Sequence, residues 1–333
     1  MSKITTYDFI KANSEKTIIL MAMFPITLIF IVYVVIFLFS LMSVQTHNNS
    51  NFDLIFYYTN QIAVVILPVV SFIAILWVLI SYFAGHNFIL SMTNATELNR
   101  TNAAEIVRIV ENIAIAAGIP TPNVYAINDN GLNAFATGRD VNHSYIALTK
   151  GIINKLEKVE LECVVAHEMA HIKNRDIRLM LIAIVCISFG TIAAEFLLRT
   201  AWMTRSNNNS KNSGSIKILL FALAFAFYAY AYLIAPLIKF AVSRTREFQA
   251  DATAALITRN PQGLISALKK ISESSVVEKL KNNETVAAIC IYSPLTKKPS
   301  FLSKISGLYS THPPIEERIK ALQIMDGYRE VLK

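Results

Sequence analysis

Charge is what this sequence has least of. Of its 333 residues only 16% are charged, whereas 54% are hydrophobic, and mean hydropathy is +0.45. A soluble chain of this length would form about two domains of ~150 residues each and would need a far more polar surface. The deficit excludes an ordinary soluble enzyme and points to an integral membrane protein. Cysteine is also scarce: Cys163, Cys186 and Cys290 are an odd set with no C-x-x-C pair. A disulfide framework is excluded, and a reducing compartment fits. Cys163 reads as a small buried hydrophobe rather than a ligand. Acidic residues are outnumbered, giving a formal net charge of +8. No RNA-binding signature and no interleaved basic and aromatic patch accompanies that excess, so no nucleic-acid partner is expected. Anionic headgroups beside membrane spans account for it more simply. Internal repeats are absent.

What the chain does have is long apolar runs, at about 17–42, 61–83, 179–198 and 216–240. At about 1.5 Å per residue, ~20 residues cross a bilayer core, so each can span. The first run is too long for a signal-peptide core, and no A-x-A-like cleavage site follows it, so a retained span is expected. Lys3, Lys11 and Lys16 precede it, and residues 43–60 carry no Lys or Arg. The N-terminus is therefore expected in the cytoplasm and the short loop outside. Asn48-Asn49-Ser50 matches a glycosylation acceptor, a common tripeptide to which no weight is given. Residues 1–85 read as a membrane hairpin, 86–178 as a first cytoplasmic segment, 179–240 as a second hairpin and 241–333 as a second cytoplasmic segment. Arg199, Arg205 and Lys211 in the outer loop are a mild breach of the positive-inside rule. Glu195 lies near the far end of the third run, where its carboxylate can reach the interface.

Within 86–178, Ile106, Ile109, Val110 and Ile113 repeat at helical spacing, and Gly118-Ile119-Pro120 stops that helix. Strands are expected at 123–127, 133–137 and 144–148, separated by turn-rich segments. A helix beginning near Lys150 to Leu156, or just after it, then carries His167-Glu168-Met169-Ala170-His171. Histidines four apart on a helix share one face, so both imidazoles can reach one zinc while Glu168 is placed to take a proton from water. Two imidazoles leave zinc short of protein ligands. Beyond the fourth run, Ser243-Arg244-Thr245-Arg246-Glu247-Phe248-Gln249-Ala250-Asp251 offers two acids on one helical face. Glu247 can be the third ligand, and Asp251 can accept from a ligand histidine. Two spans lie between the pentapeptide and Glu247, an even number, so both fall on one side of the membrane. At about 1.5 Å per residue, Leu179 is about 12 Å from His171 and Glu247 about 10 Å from Phe240. The site is expected close above the cytoplasmic membrane surface.

H-E-M-A-H and S-R-T-R-E-F-Q-A-D, with Asn133-Ala134-Phe135-Ala136-Thr137-Gly138 upstream and Thr311-His312-Pro313-Pro314 near the end, resemble the HtpX membrane zinc metalloproteases, relatives of the CAAX prenyl proteases. The resemblance covers most of the chain from about residue 100. It implies a mainly α membrane protein, with four transmembrane helices and a cytoplasmic α+β protease domain of the zincin (gluzincin) type containing a small sheet. It also implies one Zn2+ per chain, with His167, His171 and Glu247 as ligands, Glu168 as general base and Asp251 as partner of a zinc histidine, His167 being favoured. His312 becomes the candidate oxyanion donor, with Tyr309 a weaker one; alternatively, Pro313 and Pro314 simply open a helix carrying Ile315, Ile319 and Leu322. Arg318, which closes the H-P-P-x-x-x-R pattern, is expected either near substrate or in an ion pair. Asn133, Ala134 and Phe135 are expected on an edge strand above the zinc, where an extended peptide could pair through main-chain hydrogen bonds.

The implied function is peptide-bond hydrolysis in misfolded or surplus membrane proteins at the cytoplasmic face of a bacterial inner membrane. The expected partners are membrane-protein or peptide substrates and the lipid bilayer. Two other readings compete. An intramembrane site-2-type protease would place H-E-x-x-H inside an apolar span, but Glu157, Lys158, Glu160 and Glu162 precede it here; Met325-Asp326-Gly327, in a polar tail, would be that class's aspartate motif. A membrane scaffold or transporter with a structural zinc would favour polar residues lining the spans, and these spans have few.

Overall fold

The computed structural model describes residues 6–45, 52–203, 211–241, 244–273 and 313–331. Ten α-helices and four strands lie among them, and the chain divides into two compact units.

One unit, Ile18–Ser81 with Val185–Ala235, is helical throughout its described residues. It takes segments from α1 (Thr6–Gln45), α2 (Phe52–Met92), α6 (Asp176–Met203) and α7 (Lys211–Ala241). Length and composition make the first three long and apolar enough to cross a membrane, and Ile216–Tyr232 within α7 is a shorter apolar stretch. Only 17% of the most apolar window of α2 is buried inside the protein. Val64, Val65 and Phe72 face outward, an apolar surface that water would not tolerate and lipid would cover. The isolated hydroxyls in these runs need no water, because each donates back along its own helix: Thr59 to the Ile55 carbonyl at 2.7 Å, Ser71 to Leu67 at 2.7 Å and Ser81 to Trp77 at 2.6 Å. Close packing replaces the hydrophobic effect in such a setting. A Cβ on Gly190 of α6 would meet the Ala231 Cβ of α7 at 3.0 Å, and Phe24 meets the Phe189 ring edge-on at 5.4 Å. Glu195 faces outward and lies 3.9 Å from Arg199, one turn along its helix.

The other unit, Met1–Thr17, Tyr82–Ile184 and Pro236–Lys333, holds the sheet and the H-E-x-x-H helix. Strands β1 (Ala95–Leu98), β2 (Asn123–Ile127), β3 (Ala134–Asp140) and β4 (His143–Thr149) form one sheet in the order β1-β2-β4-β3. β2 runs parallel to β4, and the other two pairings are antiparallel. β3 is thus an edge, with a register irregularity between Gly138 and Asp140. Helix α3 (Ala104–Ala117) ends at Gly118, whose φ of 70° supplies the left-handed cap that a glycine adopts most readily. Thr149 closes β4 and caps α4 (Lys150–Lys155) with its hydroxyl.

Helix α5 (Lys158–Lys173) is the centre of this unit, packed by β3, α3, α8 (Arg244–Thr258) and α9 (Pro261–Glu273). It starts with a reciprocal capping box between Glu157 and Glu160. Leu161 through Ile172 is buried with the exception of half-buried Glu162, so this helix has no solvent stripe to betray an amphipathic period. α10 (Ile315–Val331) follows Pro313 and Pro314 and sends Ile315 and Leu322 into the same core. Cys163 is fully buried, its Sγ 3.4 Å from the Asn260 carbonyl, and burial pushes its thiol up to about 11. Asp326 accepts a hydrogen bond from Gln262 on an exposed face, where it belongs to no metal-binding group.

Candidate metal centre

Helix geometry alone brings His167 and His171 together, one turn apart on the buried face of α5. Their Nε2 atoms are 3.2 Å apart. Helix α8 crosses α5 and contributes Glu247, whose carboxylate oxygens lie 3.7 Å from His167 Nε2 and 3.5 Å from His171 Nε2. The three side chains form a group whose ligand atoms all fall within 4.8 Å of one another.

What lies behind the histidines fixes which nitrogen faces inward. His167 Nδ1 is 3.0 Å from Asp251 Oδ1, one turn after Glu247 on α8. Burial alone would raise the Asp251 pKa, but the charge and hydrogen bonds of Arg318, together with His167, bring it down to about 2. An ionised carboxylate only accepts, so Nδ1 carries the hydrogen. His171 Nδ1 is likewise 3.0 Å from Asp176 Oδ2, and Arg246 donates to the other oxygen of Asp176 at 3.1 Å. Both Nε2 lone pairs therefore point at the space that the Glu247 oxygens also face. Two imidazole nitrogens and a carboxylate converge there, with Arg318 Nη1 3.8 Å from Glu247 Oε2 on the flank, and a cation is what such a ligand set binds. Net charge agrees. Glu168, Glu247, Asp251 and Asp176 are all buried beside the buried guanidiniums of Arg318 and Arg246, so acidic groups outnumber arginines around the centre. The same field draws a proton: burial would lower the pKa of His171, but Asp176, Glu247 and Glu168 raise it to about 9. Nitrogen and carboxylate donors in a three-residue set are those of zinc sites that keep one position open.

Glu168, 3% exposed, lies between the two histidines in sequence and accepts from the backbone amide of Ala136 on β3. Burial pushes its carboxyl above the usual range, opposed by His167 and His171. The edge strand is thus in direct hydrogen-bond contact with the candidate base. Asn133, Ala134 and Phe135 are at the start of this strand but each is only 1% exposed. Their side chains pack inward: Asn133 Oδ1 accepts from the Ala134 amide, and the Asn133 main chain pairs with Thr149. Arg318 is also fully buried, and its side chain grips both oxygens of Asp251 at 2.8 and 2.6 Å. Of the two places open to it in the sequence, the structure shows it in the ion pair. His312 and Tyr309 lie outside the described residues.

Two residues that hold the site went unread in the sequence. Asp176 sits five positions after His171 and opens α6, where an acid looks like an ordinary helix-start residue. Arg246 precedes Glu247, and its partner is 70 residues away.

With this geometry established, similarity to known proteins is informative. Residues 100–326 match the model of peptidase family M48. The chain belongs to peptidase family M48. Full-length relatives agree: a protease HtpX homolog of Bacteroides fragilis strain YCH46 is 38% identical over 314 residues, covering 93% of this chain and 96% of that protein. One from Dictyoglomus thermophilum is 35% identical over 328 residues, covering 98% and 96%. One from Listeria monocytogenes serotype 4a is 40% identical over 271 residues, covering 78% and 86%. Among solved structures, the crystal structure of S. mikatae Ste24p is similar to 73% of this chain and 57% of its own, with a TM-score of 0.43 and 22% identity. This M48 member is a membrane metalloprotease, mostly helical with a small mixed sheet, and its His-His-Glu group could hold the metal of that class.

Proposed function

We propose that the metal is zinc, one per chain, held by His167, His171 and Glu247, and that the protein is an endopeptidase of misfolded or surplus membrane proteins at the cytoplasmic face of a bacterial inner membrane. The single observation that carries the metal assignment is the convergence of two Nε2 lone pairs and one buried carboxylate, with both Nδ1 atoms facing carboxylates at 3.0 Å. Zinc bound there supplies Lewis acidity to the scissile carbonyl and makes water a nucleophile near neutral pH. Glu168 takes the proton of the attacking water and returns it to the leaving amine, a task helped by a carboxyl whose pKa is raised by burial. Asp251 holds His167 with its lone pair inward. His312 is proposed to donate to the developing oxyanion. An extended peptide adds to the β3 edge through main-chain hydrogen bonds, which impose little sequence preference and suit varied damaged substrates.

Four spans, with both chain ends in the cytoplasm, complete the proposed topology. An even number of crossings between His171 and Glu247 supports it, because the two segments meet within one unit. Glu168→Gln tests the reading: purified in detergent, this variant should keep its zinc and lose cleavage of a membrane-protein substrate by about 100-fold or more. Cleavage at the wild-type rate would refute it.

A further inference from the structure

Helix α1 is read so far only as an anchor, yet its residue Asn13 is 1% exposed and reaches the metal centre. The Asn13 amide donates to Asp176 Oδ1 at 2.6 Å and to the Asn174 carbonyl at 2.9 Å. Asn174 caps α5, Arg175 follows in a left-handed conformation (φ 59°), and Asp176 starts α6. One amide therefore grips both sides of the two-residue turn that redirects the chain from the ligand helix. Thr17 donates to the Asn13 carbonyl at 2.8 Å, stiffening that turn of α1.

Division of labour on Asp176 gives the contact its meaning. Oδ2 takes His171 Nδ1, while Oδ1 takes Asn13 and, at 3.1 Å, Arg246. Two donors on one oxygen fix the plane of the carboxylate, and that plane aims the other oxygen at the imidazole. His167 has an equivalent support in Arg318 on Asp251, supplied from α10. For His171, the support on Asp176 comes from a residue 163 positions away from that aspartate in sequence. We infer that Asn13 is a positioning residue for the metal ligand His171, acting through Asp176, so that the first turns of α1 help set the strength and geometry of metal binding. The inference rests on the ligand assignment proposed above. In physical terms, losing a group that orients a ligand histidine typically weakens metal binding by about 10- to 100-fold. A support one bond further out should have the smaller effect.

The test uses the full chain in detergent, stripped of metal. Zinc is titrated against a competing chelator, and the visible absorption of the cobalt(II)-loaded protein reports ligand geometry. Asp176→Asn is expected to raise the zinc dissociation constant by about 10-fold or more, and Asn13→Leu and Asn13→Ala by about 3- to 10-fold. Shifted cobalt bands are expected in all three, with thermal unfolding of the metal-free Asn13 variants close to wild type. Wild-type zinc affinity and cobalt bands in both Asn13 variants, or a loss of affinity that only tracks a lowered unfolding temperature, overturns the inference. His171→Ala separates this from failure of the ligand assignment. If that variant binds zinc like the wild type, the assignment falls and the inference with it; if it alone loses zinc, only the inference falls.

Discussion

Arg318 closes on Asp251 with two parallel hydrogen bonds, Nε to Oδ2 at 2.8 Å and Nη2 to Oδ1 at 2.6 Å, in surroundings where neither side chain is more than 2% exposed. Oδ1 is also the atom 3.0 Å from His167 Nδ1. One oxygen thus serves an arginine of α10 and an imidazole of α5 together. Removing the arginine leaves a buried, uncompensated carboxylate, which costs about 3–5 kcal/mol. Arg318→Ala should lower the thermal unfolding temperature of the metal-free protein markedly, and Arg318→Lys should recover only part of it because an ammonium cannot form the planar fork. An unfolding temperature equal to wild type in Arg318→Ala would mean that Asp251 is neutral or solvated.

Glu247 supplies the only carboxylate in the three-residue group. Glu247→Ala should reduce bound zinc well below one per chain by elemental analysis after dialysis against a weak chelator, with cleavage lost in parallel. Full zinc content and normal activity would remove Glu247 from the ligand set.

Acid stability should depend on Glu160. Burial pushes its carboxyl up, but Lys270, Ser266 and the Glu157 amide outweigh that and hold it below its ordinary value of 4.5. A depressed folded-state pKa gives stability that is fully present above the unfolded pKa and is lost as pH falls through the folded one. Thermal unfolding temperatures measured from pH 6 downward should therefore drop more steeply below about pH 4.5 in the wild type than in Glu160→Gln. Parallel curves would exclude a net contribution from this carboxylate.

Gly151 is a position without room. A Cβ there would collide with the Asn130 carbonyl oxygen and lie 2.7 Å from that of Gly131, while the Gly151 amide donates to Asp129 at 2.9 Å. Gly151→Ala should destabilise by about 1–3 kcal/mol. It should also loosen the start of β3, seen as faster amide exchange at Asn133 and Ala134. Gly327→Ala, with nothing within 4 Å, is the control and should behave as wild type.

Local pattern made much of this fold readable. β2 occupies the expected 123–127, α3 ends at the expected glycine, the strand expected at 144–148 lies within a residue of β4 at each end, and β3 starts one residue after the expected 133 and runs three past the expected 137. What pattern could not carry was pairing. β1 is four residues, Ala-Thr-Glu-Leu, with no strand signature of its own, and exists through its ladder with β2. The parallel register of β2 against β4 joins segments separated by β3 and leaves no local trace. In the centre, spacing along a single helix suggested His167 with His171 and Glu247 with Asp251, and the structure brings these pairs together. Asp176 was invisible because an acid opening a helix has a sufficient local reason to be there. Asn13 gave no signal at all, since a polar residue just before an apolar run is ordinary. Arg318 shows the limit from the other side: its two readings differ only in burial, which sequence does not encode for a lone charge.

The depth of the centre has a consequence for what it can cut. Among the described residues, His167 and Glu247 are 0% exposed, Glu168 3% and His171 9%. A helix with its side chains is about 10 Å across, too broad to lay its main chain against atoms this deep. A single extended strand can. Selection at this site is therefore a test of shape before it is a test of sequence. Under the function proposed above, a chain qualifies by being extended at the bond to be cut, and its bulk elsewhere decides how near that bond can come.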